Sequence, residues 1–201
     1  MYSDRIHHAL AFAAKHYPER VSRYDDHSCL IRASSVAVIL ARSGADECTM
    51  VASILKQLVD ACPHARQASL AQEIASKFGK SVAHTVETAA EPRYDVLGRE
   101  RTWKACRFEQ LSRLTSADYR PVDVCVAEEL HRIGSALVSI RRLGVEYMET
   151  IGVPSHADTM WWHSILIDTL AGHPRWNRPD MLSELRRLAI DLAAKIKEAE
   201  A

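Results

Sequence analysis

Cysteine is sparse in this 201-residue chain, and none of the five falls in a CxxC pair, which argues against both a disulfide framework and a zinc knuckle. Cys29, Cys48, Cys62, Cys106 and Cys125 are widely scattered, several on apolar helical positions where reduced core cysteines sit. Glycine and proline are scarce too, seven of each, several standing where a helix would end. No segment reads convincingly as a strand. Nowhere do 18 apolar residues run together, and the opening Met-Tyr-Ser-Asp-Arg-Ile-His-His lacks the basic-then-apolar order of a signal peptide. A cytoplasmic protein without a membrane partner is expected. Neither sign of charge is in excess: Lys plus Arg and Asp plus Glu number 26 each, so no global field draws a nucleic-acid backbone, and any anion site must be local. A Walker loop, a GxSxG elbow and a GxGxxG are all missing, which excludes glycine-rich phosphate cradles at the motif level.

What is present is helical periodicity. Hydrophobic residues at 47% and charged residues at 26% match a folded globular chain, and the length suits one domain over residues 1–201. An all-α bundle of about eight to ten helices is predicted. The first covers about 4–15 behind Ser3 as cap, and the second covers about 28–42, stopping at Ser43-Gly44. A third starts near Asp46, aligns Val51, Ile54, Leu55, Leu58 and Cys62, and must end before Pro63. Ser69-Leu70-Ala71-Gln72 has the form of a capping box opening a short helix that closes at Phe78-Gly79, with Gly79 as a left-handed cap. Another short helix reaches about residue 90, and after a loop over about 92–98 one helix spans about 99–114. A long helix over about 122–143 carries a core stripe of Val126, Leu130, Ile133, Leu137 and Ile140. An irregular stretch over 144–155 precedes two closing helices, about 157–171 and about 177–198, with Pro179 in the first turn of the last.

Three stretches, RASSVAVILARSGADECTMVASILKQLVDAC (32–62), IASKFGKSVAHTVETAAE (74–91) and VCVAEELHRIGSAL (124–137), together resemble the HD-domain hydrolases of the RelA/SpoT and small alarmone hydrolase type in order and spacing. The likeness implies an HD-like helical core over about 5–143 followed by a helical pair over about 157–199. In that family a His-Pro begins a helix ending in Ala-x-Ile-Leu, and a Gly-Ala-Asp turn leads into a His-Asp pair and then a Glu-Asp pair. A Phe-Gly and later a Lys-Leu-Ala-Asp-x-Leu-x-Asn follow. The activity the resemblance implies is metal-dependent hydrolysis of (p)ppGpp at its 3′-pyrophosphate, with manganese as cofactor.

Carried over position by position, the chemical residues do not match. The family's first metal-binding His falls on Arg32, its His-Asp pair on Lys56 and Gln57, and its Glu-Asp pair on Asp60 and Ala61. Its last metal ligand falls on Glu128, the nearby Asn on Arg132, and the Lys before that ligand on Cys125. Arg and Lys are protonated at neutral pH, offer no lone pair and repel a divalent ion, so two of them at ligand positions should abolish a metal site. The alternative is ordinary surface pairing: Lys56 with Asp60 and Glu128 with Arg132 are each four residues apart, a spacing usual for solvated pairs.

A replacement metal site among the ten histidines finds little support, since His7 and His8 are adjacent, His27 follows two acids at a helix start, and no His-x3-His spacing occurs. The reading preferred from the sequence is a catalytically degenerate HD domain without a metal. In it Arg32, Lys56, Gln57, Asp60, Glu128 and Arg132 line the former active site, which either has become structural or binds a phosphorylated nucleotide such as ppGpp. Taken together the five charged members sum to +1. Two other readings stand beside it: an active manganese-dependent hydrolase, and an interaction module, as a homo-oligomer, with an inert pocket.

Overall fold

A computed structural model describes residues 2–17, 29–144 and 155–199. Among these residues it contains nine helices and no strand, the sole β-type pairing being an isolated antiparallel bridge between Tyr94 and Glu100. The helices are α1 (Asp4–His16), α2 (Cys29–Arg42), α3 (Glu47–Ala61), α4 (His64–Phe78), α5 (Lys80–Ala89), α6 (Trp103–Ser116), α7 (Tyr119–Leu143), α8 (His156–Ala171) and α9 (Pro179–Ala199). No described helix is long and apolar enough to cross a membrane. The expectations for His27 and for residues 145–154 lie outside the described residues.

Local signals explain most of the starts. Ser3 accepts from the Ile6 N–H, Asp46 from Thr49, Thr102 from Ala105, Asp118 from Arg120 and Ser155 from Asp158, each satisfying a donor that the helix itself leaves open. Pro179 is the first residue of α9, where a missing N–H costs nothing.

Three expectations are corrected. Ser69 caps nothing: α4 begins at His64, directly after Pro63, and the Ser69 hydroxyl donates back to the Arg66 carbonyl inside the helix. Proline breaks α3 but its fixed φ also lets the next helix start at once, so the chain needs no separate loop there. Gly79 has φ 90° and ψ 162°, an extended glycine conformation in place of a left-handed cap, and it joins α4 directly to α5. Finally α6 starts at Trp103 and not near residue 99, because Asp95 organises a hairpin first, accepting from the N–H groups of Leu97 and Arg99 and from the Arg99 side chain.

The interior holds two apolar clusters. One gathers α1, α3 and α4 with parts of α2 and α5, around Phe12, Ile54, Leu55, Ile74 and Phe78. The other gathers α7, α8 and α9 with the far parts of α2, α5 and α6, around Leu114, Ile133, Trp162, Leu166, Leu185 and Leu192. Helices α2 and α5 contribute to both: Ala33 and Val82 belong to the first, Leu40 and Ala89 to the second. Helix α3 is buried almost all round, from Val51 to Leu58 without a break. Two of those buried positions, Lys56 and Gln57, are polar, and they must find partners inside.

Candidate functional site

The partners come from α7. The Lys56 ammonium donates to Asp60 Oδ2 at 2.6 Å and to Glu128 Oε2 at 2.5 Å, and the Gln57 amide donates to the other Glu128 oxygen. Lys56, Gln57 and Glu128 are 4%, 6% and 8% exposed, so this is an interior ion pair and not the solvated i,i+4 pair that spacing alone suggests. Asp60 has a second tie, accepting from the backbone N–H of Glu91 at 2.9 Å just beyond α5. Burial disfavours charge on Lys56, but the Asp60 and Glu128 carboxylates outweigh it and hold the ammonium above its ordinary range. Burial pushes the Glu128 carboxyl up, with Asp60 adding to the push, while Lys56 pulls it down; two acids share one ammonium.

Arg32, on α2, is half-buried and near enough to favour charge on Glu128. A residue that the sequence did not single out joins this neighbourhood. The Tyr17 hydroxyl is buried and has no hydrogen-bond partner among the described residues, within the fields of Cys29, Asp60, Arg32 and Glu128. Cys125, the position matching the family's lysine, is a buried thiol that receives the Gln110 amide at 3.6 Å and donates to the Ala89 carbonyl at 3.8 Å. Burial pushes it up to about 12, which keeps it an unreactive thiol.

Arg132 does not join. Its guanidinium donates to Glu129, with Nε at 3.1 Å from Oε2, and its Nη2 lies 3.1 Å from His163 Nε2 on α8. The reason is competition: both Glu128 oxygens are already engaged by Lys56 and Gln57, whereas Glu129 faces α8, accepts from the Trp162 indole at 3.1 Å and is otherwise a buried anion. Arg107 on α6 extends this second cluster, binding Glu91 at 2.7 Å and Gln110 at 2.5 Å while its guanidinium lies 5.5 Å and 5.2 Å from the ring centres of Trp103 and Trp162. Against the penalty of burial, Arg132, His163 and Arg107 bring Glu129 down to about 2. Burial and then Arg132 bring His163 down to about 4. The one sequence signal for this second cluster was the pair of acids, Glu128-Glu129, in the middle of an otherwise apolar α7 face.

With Arg132 elsewhere, the members of the expected set left around Lys56 are Arg32 and Lys56 against Asp60 and Glu128, two positive and two negative, so among the described residues the +1 surplus expected for this set is gone. Among the described residues no three His, Cys, Asp or Glu side chains are grouped to hold a metal ion.

A helical scaffold that delivers charged side chains from two helices to one interior point defines the class, an all-α bundle with a polar centre. The chain belongs to the HD domain family, whose profile matches residues 9–142. In solved structures the fold is similar to lmo0812 from Listeria monocytogenes EGD-e, with a TM-score of 0.65 and 19% identity, covering 82% of this chain and 99% of that one. It is also similar to a metazoan ortholog of SpoT described as hydrolysing ppGpp and acting in starvation responses, with a TM-score of 0.70 and 14% identity, covering 95% and 97%. By sequence, no curated protein matches the chain.

Proposed function

We propose that this HD-domain protein is a pseudo-enzyme of the (p)ppGpp-hydrolase type, a phosphohydrolase-like scaffold whose active-site centre has become a structural ion pair. One observation carries this reading: the buried Lys56 ammonium, hydrogen-bonded to both Asp60 and Glu128. A divalent ion among these carboxylates would have to displace a cation already seated between them, and Lys56 offers it no lone pair. The residues present do not fit manganese. Without a metal to lower the pKa of a water molecule, and with Ala61 where the resemblance places the second acid, the pair that the resemblance assigns to activating water is incomplete.

The balance of Arg32 and Lys56 against Asp60 and Glu128 among the described residues favours a structural plug over a phosphate site. A second reading, retention of a phosphorylated guanine nucleotide such as ppGpp without turnover, draws its support from the buried Tyr17 hydroxyl beside the plug, which has no hydrogen-bond partner among the described residues.

The test is metal analysis of the purified protein, thermal melts in EDTA and in manganese, and prolonged incubation with ppGpp followed by nucleotide chromatography. We expect no stoichiometric metal, melts that coincide, and intact ppGpp. Stoichiometric manganese, iron or zinc that is lost in Lys56→Ala, or metal-dependent release of pyrophosphate at about 1 per second or faster, would establish an active hydrolase instead. A melt raised by ppGpp but not by GDP, with the nucleotide intact, would select the nucleotide-binding form of the pseudo-enzyme.

A further inference from the structure

His163 sits on α8, 1% exposed, with its Nε2 3.1 Å from an Arg132 nitrogen and 3.8 Å from Glu129. A guanidinium has only donors, so at that distance Nε2 must present its lone pair, and the ring proton must lie on Nδ1. Nδ1 is buried and has no hydrogen-bond partner among the described residues. The ring is thus fixed in one neutral tautomer by its neighbour, with its own N–H unsatisfied, an arrangement tuned to the uncharged state.

We infer that His163 is an acid-sensitive latch between α7 and α8: neutral, it accepts from Arg132 and leaves Glu129 to its other donors; protonated, it drives α8 away from α7. The charged groups bearing on the ring are Arg132 and Glu129, both on α7, and Arg107 of α6 acts on it through Glu129. Protonation removes the acceptor that Arg132 uses and sets a second cation 3.1 Å from it. Glu129 cannot compensate in full, because Arg132 and the Trp162 indole already hold it. Movement of α8 outward returns the imidazolium to water and relieves the contact. Leu166 and Leu170, in the apolar cluster, oppose that movement, so the opened form is a minor population that grows with acid. The imidazole titrates at about 4 in place against 6.5 when free. The docked form is therefore complete above pH 6.5 and weakens as pH falls, by about 30-fold at pH 5 and about 300-fold below pH 4.

Histidine-selective NMR on the intact protein reads the tautomer and the titration, and amide hydrogen exchange across α8, corrected for the intrinsic pH dependence, reads the docking. The expected result is an Nδ1–H imidazole at neutral pH that stays uncharged to near pH 4, with protection of α8 falling between pH 6.5 and 4.5 in the parent but not in His163→Phe. Arg132→Gln supplies a second reading that does not depend on His163→Phe folding: with Glu129 kept and the competing cation gone, His163 should titrate higher than in the parent, although burial still holds it down. An Nε2–H tautomer, an ordinary titration near 6.5 in the parent, or loss of α8 protection that is the same in His163→Phe would overturn the latch.

Discussion

Two neighbouring glutamates on α7 are governed by opposite forces. Glu128 shares its ammonium with Asp60 and is raised by burial, whereas Glu129 is lowered to about 2 by three cationic or polar neighbours that overcome the same burial. Their stability contributions therefore run in opposite directions with pH. Glu129 stabilises the fold above its unfolded value of about 4.5, and up to about 3 kcal/mol is lost as pH falls from there toward 2. Glu128, with a folded value above the unfolded one, favours the fold on the acid side, and that part is lost as pH rises through its folded value. Urea melts of Glu129→Gln from pH 6 to 2.5 should show a flatter acid limb than the parent; an unchanged limb would count against this assignment. Glu128→Gln at pH 7 leaves Lys56 with Asp60 alone and should cost about 1–3 kcal/mol, read as a shift of the urea midpoint. Lys56→Met combined with Glu128→Leu should recover most of that loss, because replacing both members of a buried pair by apolar groups removes the desolvation cost along with the attraction.

Five helices in this protein start at a side-chain cap, and the cap at Asp46 does more than start a helix. Asp46 caps α3 through Thr49 and also accepts from the Tyr119 hydroxyl and Arg120 Nε, both at 2.9 Å, so the starts of α3 and α7 are tied together. Asp46→Ala should thus cost more than the roughly 1 kcal/mol typical of a cap such as Thr102, which accepts from Ala105, and paired denaturant melts of the two alanine variants would rank them. The cap at Ser3, the start near Asp46 and the Pro179 start were legible because each rests on a short-range signal. Ser69-x-x-Gln72 carries the same signal, yet the helix had already begun at His64, and a local motif cannot report whether a helix is under way. The hairpin before α6 was missed because its organiser, Asp95, acts through side-chain acceptance from Leu97 and Arg99, which a search for periodicity does not see. At the polar centre, spacing correctly put Lys56 with Asp60 and the resemblance put both with Glu128, but the direction of Arg132 depended on which acid α8 leaves unpaired. That is a tertiary fact.

On the scale of the whole molecule, the Lys56–Glu128 pair runs from a helix of one apolar cluster to a helix of the other. It is one of several ties, since α2 and α5 contribute side chains to both clusters. Weakening the pair should therefore lower stability without separating the clusters: Glu128→Gln should still melt in one calorimetric transition with equal van't Hoff and calorimetric enthalpies. Two resolved transitions would show instead that the pair is what makes the clusters cooperate. The consecutive acids of α7 also bear on how this gene can vary. Each residue along an α-helix turns the side-chain direction by about 100°, and Glu128 reaches α3 while Glu129 reaches α8. Insertion or deletion of a single codon upstream within α7 would rotate both carboxylates away from their partners on α3 and α8 at once, stranding the Lys56 ammonium and the Trp162 indole N–H. The exposed turn at Val96-Leu97 can absorb such a length change far more readily, so lineages of this protein should differ in length at the hairpin and keep α7 in strict register.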